Sequence, residues 1–357
     1  MPKAKKKTKN DVTVTRLPKP LLSVVVPLYN GAKFILGLLE SIDKQTLKIE
    51  NMEVIIQDDY STDNSIELIA NSPFAESLNI KIYQNKKRKI HCPGNTRYDG
   101  MANARGEWIT FIDQDDRFEL NAFEEVFKCI EHNNEKNFVM SSFREFHPGA
   151  NQFIKIFDNM PVTWMHGKFY NMKFLKDNNI NFKLNLNSDE DLYFNQTVFA
   201  IITANGYKYS ILKQFTYIWM YNEESEGRRS ENGRTYIDRN YANYFIAGME
   251  PWLNILNSHP EYFSNVFSRV VYILLYGYFY YQSLYYRNGF KHVRENRDIF
   301  EDNLNMVKER FNATNADIYK IIYSDPKAFN RVREDIITKS NLPIMETQSF
   351  KEFVESF

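Results

Sequence analysis

Three carboxylates crowd four positions directly after an apolar run, where Phe111-Ile112 leads into Asp113-Gln114-Asp115-Asp116. Acids at that spacing repel one another unless a cation or a proton neutralises them. Oxygen ligands gathered at a strand end suit Mg²⁺ or Mn²⁺, which in turn grips a diphosphate. The same residues also read as a capped turn ahead of a helix near Asn121, with the acids facing its dipole. A second acidic group, Ser188-Asp189-Glu190-Asp191, runs straight into Leu192-Tyr193-Phe194. A carboxylate set against apolar side chains has its pKa lifted towards the range in which it can take a proton from a hydroxyl. The plainer reading is an exposed acidic first turn of a helix. A third polar stretch, residues 222–230, carries Arg228, Arg229 and Ser230. Guanidinium groups there suit bidentate contact with phosphate, although a solvated loop has the same composition.

Alternating strands and helices must position these groups. Leu22-Ser23-Val24-Val25-Val26-Pro27 reads as a buried parallel strand. Phe34, Ile35, Leu38, Leu39 and Ile42 then recur at helical spacing. A second strand over residues 53–57 ends on Asp58 and Asp59, and Ser61-Thr62-Asp63 supplies caps for a helix near Ser65. A third strand over 80–84 and a helix over about 96–104 lead to a fourth strand over 108–112. This alternation with short links predicts an α/β fold with a parallel sheet and helices on both faces. Ligands in such sheets bind beyond the carboxyl ends of the strands, which is where the Asp-rich turns fall. Over about 135–225 the strands are expected to shorten and mix with helix, with residues 153–157 in an added hairpin. From about Tyr236 onward the pattern is helical. The expected division is a basic disordered arm over 1–20, an α/β domain over 21–235 and a helical region over 236–357.

The motifs also form an ordered set. Val26-Pro27-Leu28-Tyr29-Asn30, Gln45-Thr46, Asp58-Asp59-Tyr60-Ser61-Thr62-Asp63, Arg97, Gly100, Ala104-Arg105-Gly106-Glu107-Trp108-Ile109 and Asp113-Gln114-Asp115-Asp116 follow in that sequence. Together they resemble the family 2 inverting glycosyltransferases of the GT-A fold, over roughly residues 22–225. The resemblance implies a GT-A (Rossmann-like) nucleotide-sugar-binding domain followed by a mostly helical C-terminal region. It implies that Pro27 and Tyr29 line the nucleobase pocket, with Tyr29 stacked on the base. Asp59, or Asp58, would accept the N3–H of uracil, so the donor would be a UDP-sugar. Arg97 would lie near the nucleotide, Asp113 would contact the ribose, and Asp115 would bind Mn²⁺ or Mg²⁺ as a Lewis acid on the leaving diphosphate. Asp191 would be the general base and Glu190 would bind the acceptor. Arg228, Arg229 or Ser230 would close over the diphosphate. Trp164, Gly167, Lys168 and Tyr170 match the stretch that precedes the acid pair. Tyr98 departs from the pattern, which often has Asn after the arginine.

Composition bounds the acceptor. The 45 basic and 45 acidic residues cancel, so the chain lacks the bulk positive field of a generic nucleic-acid binder. Charge is uneven, however: residues 1–20 are lysine-rich, and Lys86, Lys87, Arg88 and Lys89 form a basic run. A bacterial envelope polysaccharide is the first acceptor expected. DNA with hydroxymethylated bases, modified by a phage-type enzyme, is the alternative, because local phosphate neutralisation would use both basic stretches. A catalytically inactive binding module is a third reading, against which the retained acids argue. Cys92 and Cys129 are too few for a disulfide framework, and His91, His147 and His166 show no metal-ligand spacing. No GxGxxG or GxxxxGK[ST] occurs, so dinucleotide and P-loop chemistry lack support. The basic start continues into polar residues rather than an apolar signal, and the apolar run over 270–286 holds too many tyrosines for a membrane span. A cytoplasmic location, or the inner face of the membrane, is expected.

Overall fold

The computed structural model describes residues 21–47, 52–132, 136–158, 163–223, 225, 240–288, 293–340 and 349–357. Strand β1 (Leu22–Leu28) carries a run of valines buried on both faces, the pattern of a central parallel strand. It pairs in parallel with β2 (Met52–Asp58) and β4 (Trp108–Phe111), and β3 (Ile80–Gln84) adds in parallel to β2. Alternate β1 side chains feed two cores. Val24 and Val26 meet α1 (Ile35–Asp43) and α5 (Ala122–Glu131) on one face. Val25 meets the opposite core, which includes Met101 of α4 (Pro93–Asn103) and Phe194 of α7 (Glu190–Asn205).

The sheet is mixed, which corrects the expectation of a parallel one. Among the described residues nine strands join in the order β3-β2-β1-β4-β8-β6-β9-β5, with β7 pairing the later residues of β6 off this path. Strand β8 (Lys168–Asn171) is antiparallel to both β4 and β6 (Lys136–His147). Strand β9 (Lys208–Met220) runs parallel to β6, and the short β5 (Arg117–Phe118) closes the far end against β9. Strand β7 (Gln152–Phe157) forms the expected hairpin with β6. Strands β6 and β9 have 12 and 13 residues, so the strands lengthen in this region instead of shortening. Their half-exposed faces carry Lys, Arg, Gln and Ser between the aromatics, and this dilutes the apolar signal on which a strand is recognised.

The C-terminal region is helical, as expected: α8 (Tyr241–Ile255), α9 (Phe263–Asn288), α10 (Val293–Phe311), α11 (Asn315–Ser324), α12 (Pro326–Ser340) and α13 (Phe350–Glu355). Val270, Val271, Leu274, Leu275, Tyr278 and Phe279 of α9 are its buried centre. No helix among the described residues is long and apolar enough to cross a membrane. This region is packed onto the α/β part. Ala200 of α7 joins its core, and Trp252 Nε1 of α8 donates to Gln196 Oε1 of α7 at 2.7 Å. Three shorter helices, α2 (Ser65–Ala70), α3 (Phe74–Ser77) and α6 (Met172–Asp177), complete the frame around the sheet.

Candidate active site

The three acids after β4 have three different fates. Asp116 is 1% exposed and anchors the turn: its carboxylate accepts from the Tyr217 hydroxyl and from Met220 N at 2.8 Å, both on β9. Burial, with the charges of Asp115 and Asp113, pushes its pKa well above the ordinary carboxylate value. Asp115 accepts from Asn222 Nδ2 at 3.0 Å, and burial beside the Asp113 charge raises its pKa too. Asp113 is half-exposed and accepts from Arg97 Nη2 at 2.5 Å. Between them Gln114 clamps the end of β1, accepting from Tyr29 N at 2.9 Å and donating to Tyr29 O at 3.0 Å. Tyr29 itself is 56% exposed at the strand end.

Asp113, Asp116 and His166 bring potential ligand atoms within 4.8 Å of one another. Asp116 already accepts two hydrogen bonds, which ties it to the turn rather than to a ligand. His166 Nε2 lies 4.0 Å from Asp116, and its buried Nδ1 has no partner among the described residues. Burial pushes the His166 pKa down to about 3, so the imidazole is neutral. Asp115 stands outside this trio.

Neighbouring Asp58 and Asp59 at the end of β2 also separate. Both Asp58 oxygens face Ser61 N, at 3.2 and 3.3 Å, which spends that acid on the turn. Asp59 Oδ1 accepts from Asn85 Nδ2 at 2.9 Å and lies 3.1 Å from His91 Nδ1. Its Oδ2 has no donor among the described residues. Asn85 Nδ2 also donates to Thr96 Oγ1 of α4 at 2.9 Å, which locks the Asp59 carboxylate in place. Pro27 and Tyr29 stand at the adjacent end of β1, in register with this edge.

The second acidic group opens α7. Asp189 holds a left-handed backbone, φ 56°, that turns the chain into the helix. Burial and the Glu190 charge push its pKa up to about 7. Glu190 is buried and accepts from Arg97 Nη1 at 2.5 Å. The approach of α4 to α7 depends on Gly94: a Cβ there would lie 2.7 Å from Glu190 Cβ and Cγ. The Asp191 carboxylate accepts only from Leu192 N, at 2.7 Å, among the described residues. Burial and the charges of Glu190 and Asp189 push its pKa well up, against the pull of Arg97. Lys168 is buried nearby, its ammonium donating to Trp164 O and, at 3.4 Å, to His166 O. Burial brings its pKa down to about 7, against the charge of Asp191. Helix α8 braces the turn ahead of the acids, since Asn243 Nδ2 donates to Ser188 Oγ at 2.9 Å and Asn187 Oδ1 at 2.5 Å.

The fold therefore brings Asp113, Arg97 and Glu190 into one chain of hydrogen bonds, with Asp191 beside it and Asp115 beside Asp113. Tyr29, Pro27, Asp58 and Asp59 cluster at the ends of β1 and β2. Arg228, Arg229 and Ser230 lie outside the described residues, as does the arm over 1–20. Reading the residues alone passed over Gln114, Asn85, Gly94, Tyr217, Asn222 and Asn243. Gln114 had a signal, being enclosed by the acids it accompanies. The others act across distances that sequence spacing does not encode.

In this mixed sheet the acids gather at the carboxyl ends of the parallel strands, where open α/β sheets bind their ligands. The sequence profile of glycosyl transferase family 2 matches residues 23–188, so the chain carries a family 2 glycosyltransferase domain with the GT-A fold. The poly(ribitol-phosphate) beta-N-acetylglucosaminyltransferase TarS of Staphylococcus aureus is 30% identical over 216 residues, covering 57% of this chain and 36% of that protein. The poly(ribitol-phosphate) beta-glucosyltransferase of Bacillus spizizenii is 27% identical over 220 residues, covering 57% of this chain and 33% of its own length. The chain thus spans about a third of the length of these curated relatives. Among solved structures, S. aureus TarS 1-349 in complex with UDP-GlcNAc shares the fold, with a TM-score of 0.64 at 18% identity, covering 92% of this chain and 98% of that one.

Proposed function

We propose that the chain is an inverting glycosyltransferase that moves a sugar from a UDP-sugar to a hydroxyl of a bacterial envelope polymer built on polyol phosphodiesters. The observation that carries this reading is the pair of bonds made by Arg97, which joins a donor-side acid, Asp113, to an acceptor-side acid, Glu190. Beside that bridge Asp191 is left as an open carboxylate with raised proton affinity, the property a base needs. Two relatives are named for poly(ribitol-phosphate), which supports the polymer class. The DNA reading draws no support from them.

In this mechanism Tyr29 stacks on uracil and Asp59 Oδ2, the oxygen left open by Asn85 and His91, accepts its N3–H. Arg97 orients Asp113 towards the ribose and keeps Glu190 at the acceptor side. Asp191 takes the proton of the acceptor hydroxyl as its oxygen bonds to the anomeric carbon from the face opposite the departing UDP. A divalent cation, Mn²⁺ or Mg²⁺, would be held by Asp115, whose carboxylate accepts from the Asn222 amide, with Asp113, already paired with Arg97, beside it, and would supply positive charge to the diphosphate. Arg228, Arg229 and Ser230 are assigned to the same diphosphate. The reaction is placed in the cytoplasm, where nucleotide sugars are available.

The test is transfer from UDP-GlcNAc and from UDP-glucose to poly(ribitol phosphate), with the anomeric configuration of the product read by NMR. An α-linked donor is expected to give a β-linked product. Retention of configuration would remove the single-displacement mechanism, and absence of transfer from both donors would remove this donor and acceptor pairing.

A further inference from the structure

Four consecutive cations, Lys86, Lys87, Arg88 and Lys89, follow β3 in a loop that the transfer mechanism leaves unused. Like charges so close repel, and a free loop would spread them apart. Here the loop is stapled. Asp99 of α4 accepts from Lys86 N at 2.9 Å and takes the Arg88 guanidinium in two bonds of 2.6 and 2.7 Å. Arg88 also lies over the Tyr98 ring, 5.9 Å from its centroid, which gives a role to the residue that departs from the family pattern. Asp99 neutralises one of the four charges. Lys86, Lys87 and Lys89 are exposed and make no close ion pair among the described residues, although the Lys86 charge also acts on Asp99.

The loop is also tied to both ends of the site. His91 lies 3.1 Å from Asp59 at the nucleobase end. Asn95 Nδ2 donates to Ile90 O at 2.7 Å, while Asn95 Oδ1 accepts from Asn185 N at 2.9 Å in the turn ahead of the acid pair. A cavity of about 420 Å³ opens here, lined by Arg88, Lys89, Ile90 and Asn185.

We propose that Lys86, Lys87 and Lys89 form an anion subsite for the phosphodiester groups of a polymeric acceptor, holding the chain across this cavity so that its hydroxyls reach Asp191. The inference rests on the acceptor reading above and adds the residues that hold it. The donor diphosphate is assigned to the turn after β4, so it does not account for these lysines. Net neutrality of the chain confines the attraction to a few phosphates. That suits a thin flexible polyanion passing the loop better than a duplex, which presents a broad charged face. Lysine ammonium groups are compact and rotatable, so they can follow phosphates in varying register.

The experiment uses the full chain and a Lys86→Ala/Lys87→Ala/Lys89→Ala variant, with poly(ribitol phosphate) as acceptor at saturating donor across a salt series. The variant is expected to raise KM for the polymer about tenfold at low salt with kcat unchanged. The slope of log KM against log salt should flatten by roughly 2, since each lost phosphate contact removes about 0.7 on a single-stranded polyanion. The corresponding triple Lys→Arg variant should restore KM. An unchanged KM and salt slope in the alanine variant, at an unaltered unfolding midpoint, would overturn the proposal, as would failure of the arginine variant to rescue. Duplex DNA competing as strongly as the polymer at equal phosphate concentration would overturn the assigned class. If the unsubstituted chain glycosylates a neutral glycan and not the polymer, the acceptor reading itself fails, an outcome seen without any variant.

Discussion

Arg97 donates to Glu190 at 2.5 Å across 93 positions of sequence, and its other terminal nitrogen holds Asp113 at the same distance. Burial alone would lower the arginine pKa, but the charges of Asp113, Glu190 and Asp191 raise it, so the cation is permanent. Replacing it by Met strands a buried Glu190 carboxylate, which should cost about 3–5 kcal/mol of stability. Arg97→Lys keeps the charge but cannot span both acids, so it should fold and lose kcat. Denaturant unfolding and steady-state kinetics read the two variants. An Arg97→Met chain as stable as the original would show that the bridge does not hold the site together.

Asp191→Asn should lower kcat by about 10²–10⁴ with UDP affinity nearly unchanged, because a general base acts in the transition state. Since the Asp191 pKa is raised, kcat/KM should rise with pH through a point above the ordinary carboxylate value. Near-normal turnover in Asp191→Asn would move the base elsewhere, with Glu190 or Asp189 next in line.

UDP should stabilise the chain in Mn²⁺ and much less in chelator or in Asp115→Asn. At a hundred times Kd the linkage is about 2.7 kcal/mol, ample for a thermal shift. Equal shifts in all three conditions would remove the cation from Asp115.

Gly94→Ala places a methyl against Glu190, and overpacking of this kind costs about 1–3 kcal/mol. The displaced acid pair should lower kcat while the UDP-dependent thermal shift persists. If kcat holds and the UDP shift disappears, the contact serves the donor side instead.

His166 contributes to the pH dependence of stability. Its folded pKa lies near 3, below the unfolded value of about 6.5, because burial disfavours the cation. The stability due to the neutral ring is therefore present above pH ~6.5 and is lost as pH falls towards about 3, a loss on the order of a few kcal/mol. Asp116, Asp113, Lys168 and Arg97 face the ring, so the measured limb is a sum. His166→Phe should flatten stability across that window relative to the unsubstituted chain. An identical acid limb in both would assign it to the carboxylates.

The two acidic groups and the strands that carry the first of them were legible because buried parallel strands write contiguous apolar runs, and Asp58, Asp59 and Asp113 follow them directly. Strands β6 and β9 were not, because their half-exposed faces mix polar and aromatic residues. Nor could spacing tell Asp58, spent on Ser61, from Asp59, held open by Asn85. Their immediate neighbours are alike, and the partners that separate them arrive from other elements.

By itself the sequence determined the order of the α/β elements, the family, and which residue types gather at the strand ends, since periodicity and local motifs are properties of a continuous chain. The tertiary structure decided what each acid does. It buried Asp116 against Tyr217, left Asp191 open, joined Asp113 to Glu190 through Arg97, and braced the α7 turn with Asn243 of α8. A carboxylate's role depends on its burial and on the charges that face it. Those are set by contacts between segments far apart in sequence, which no local pattern records.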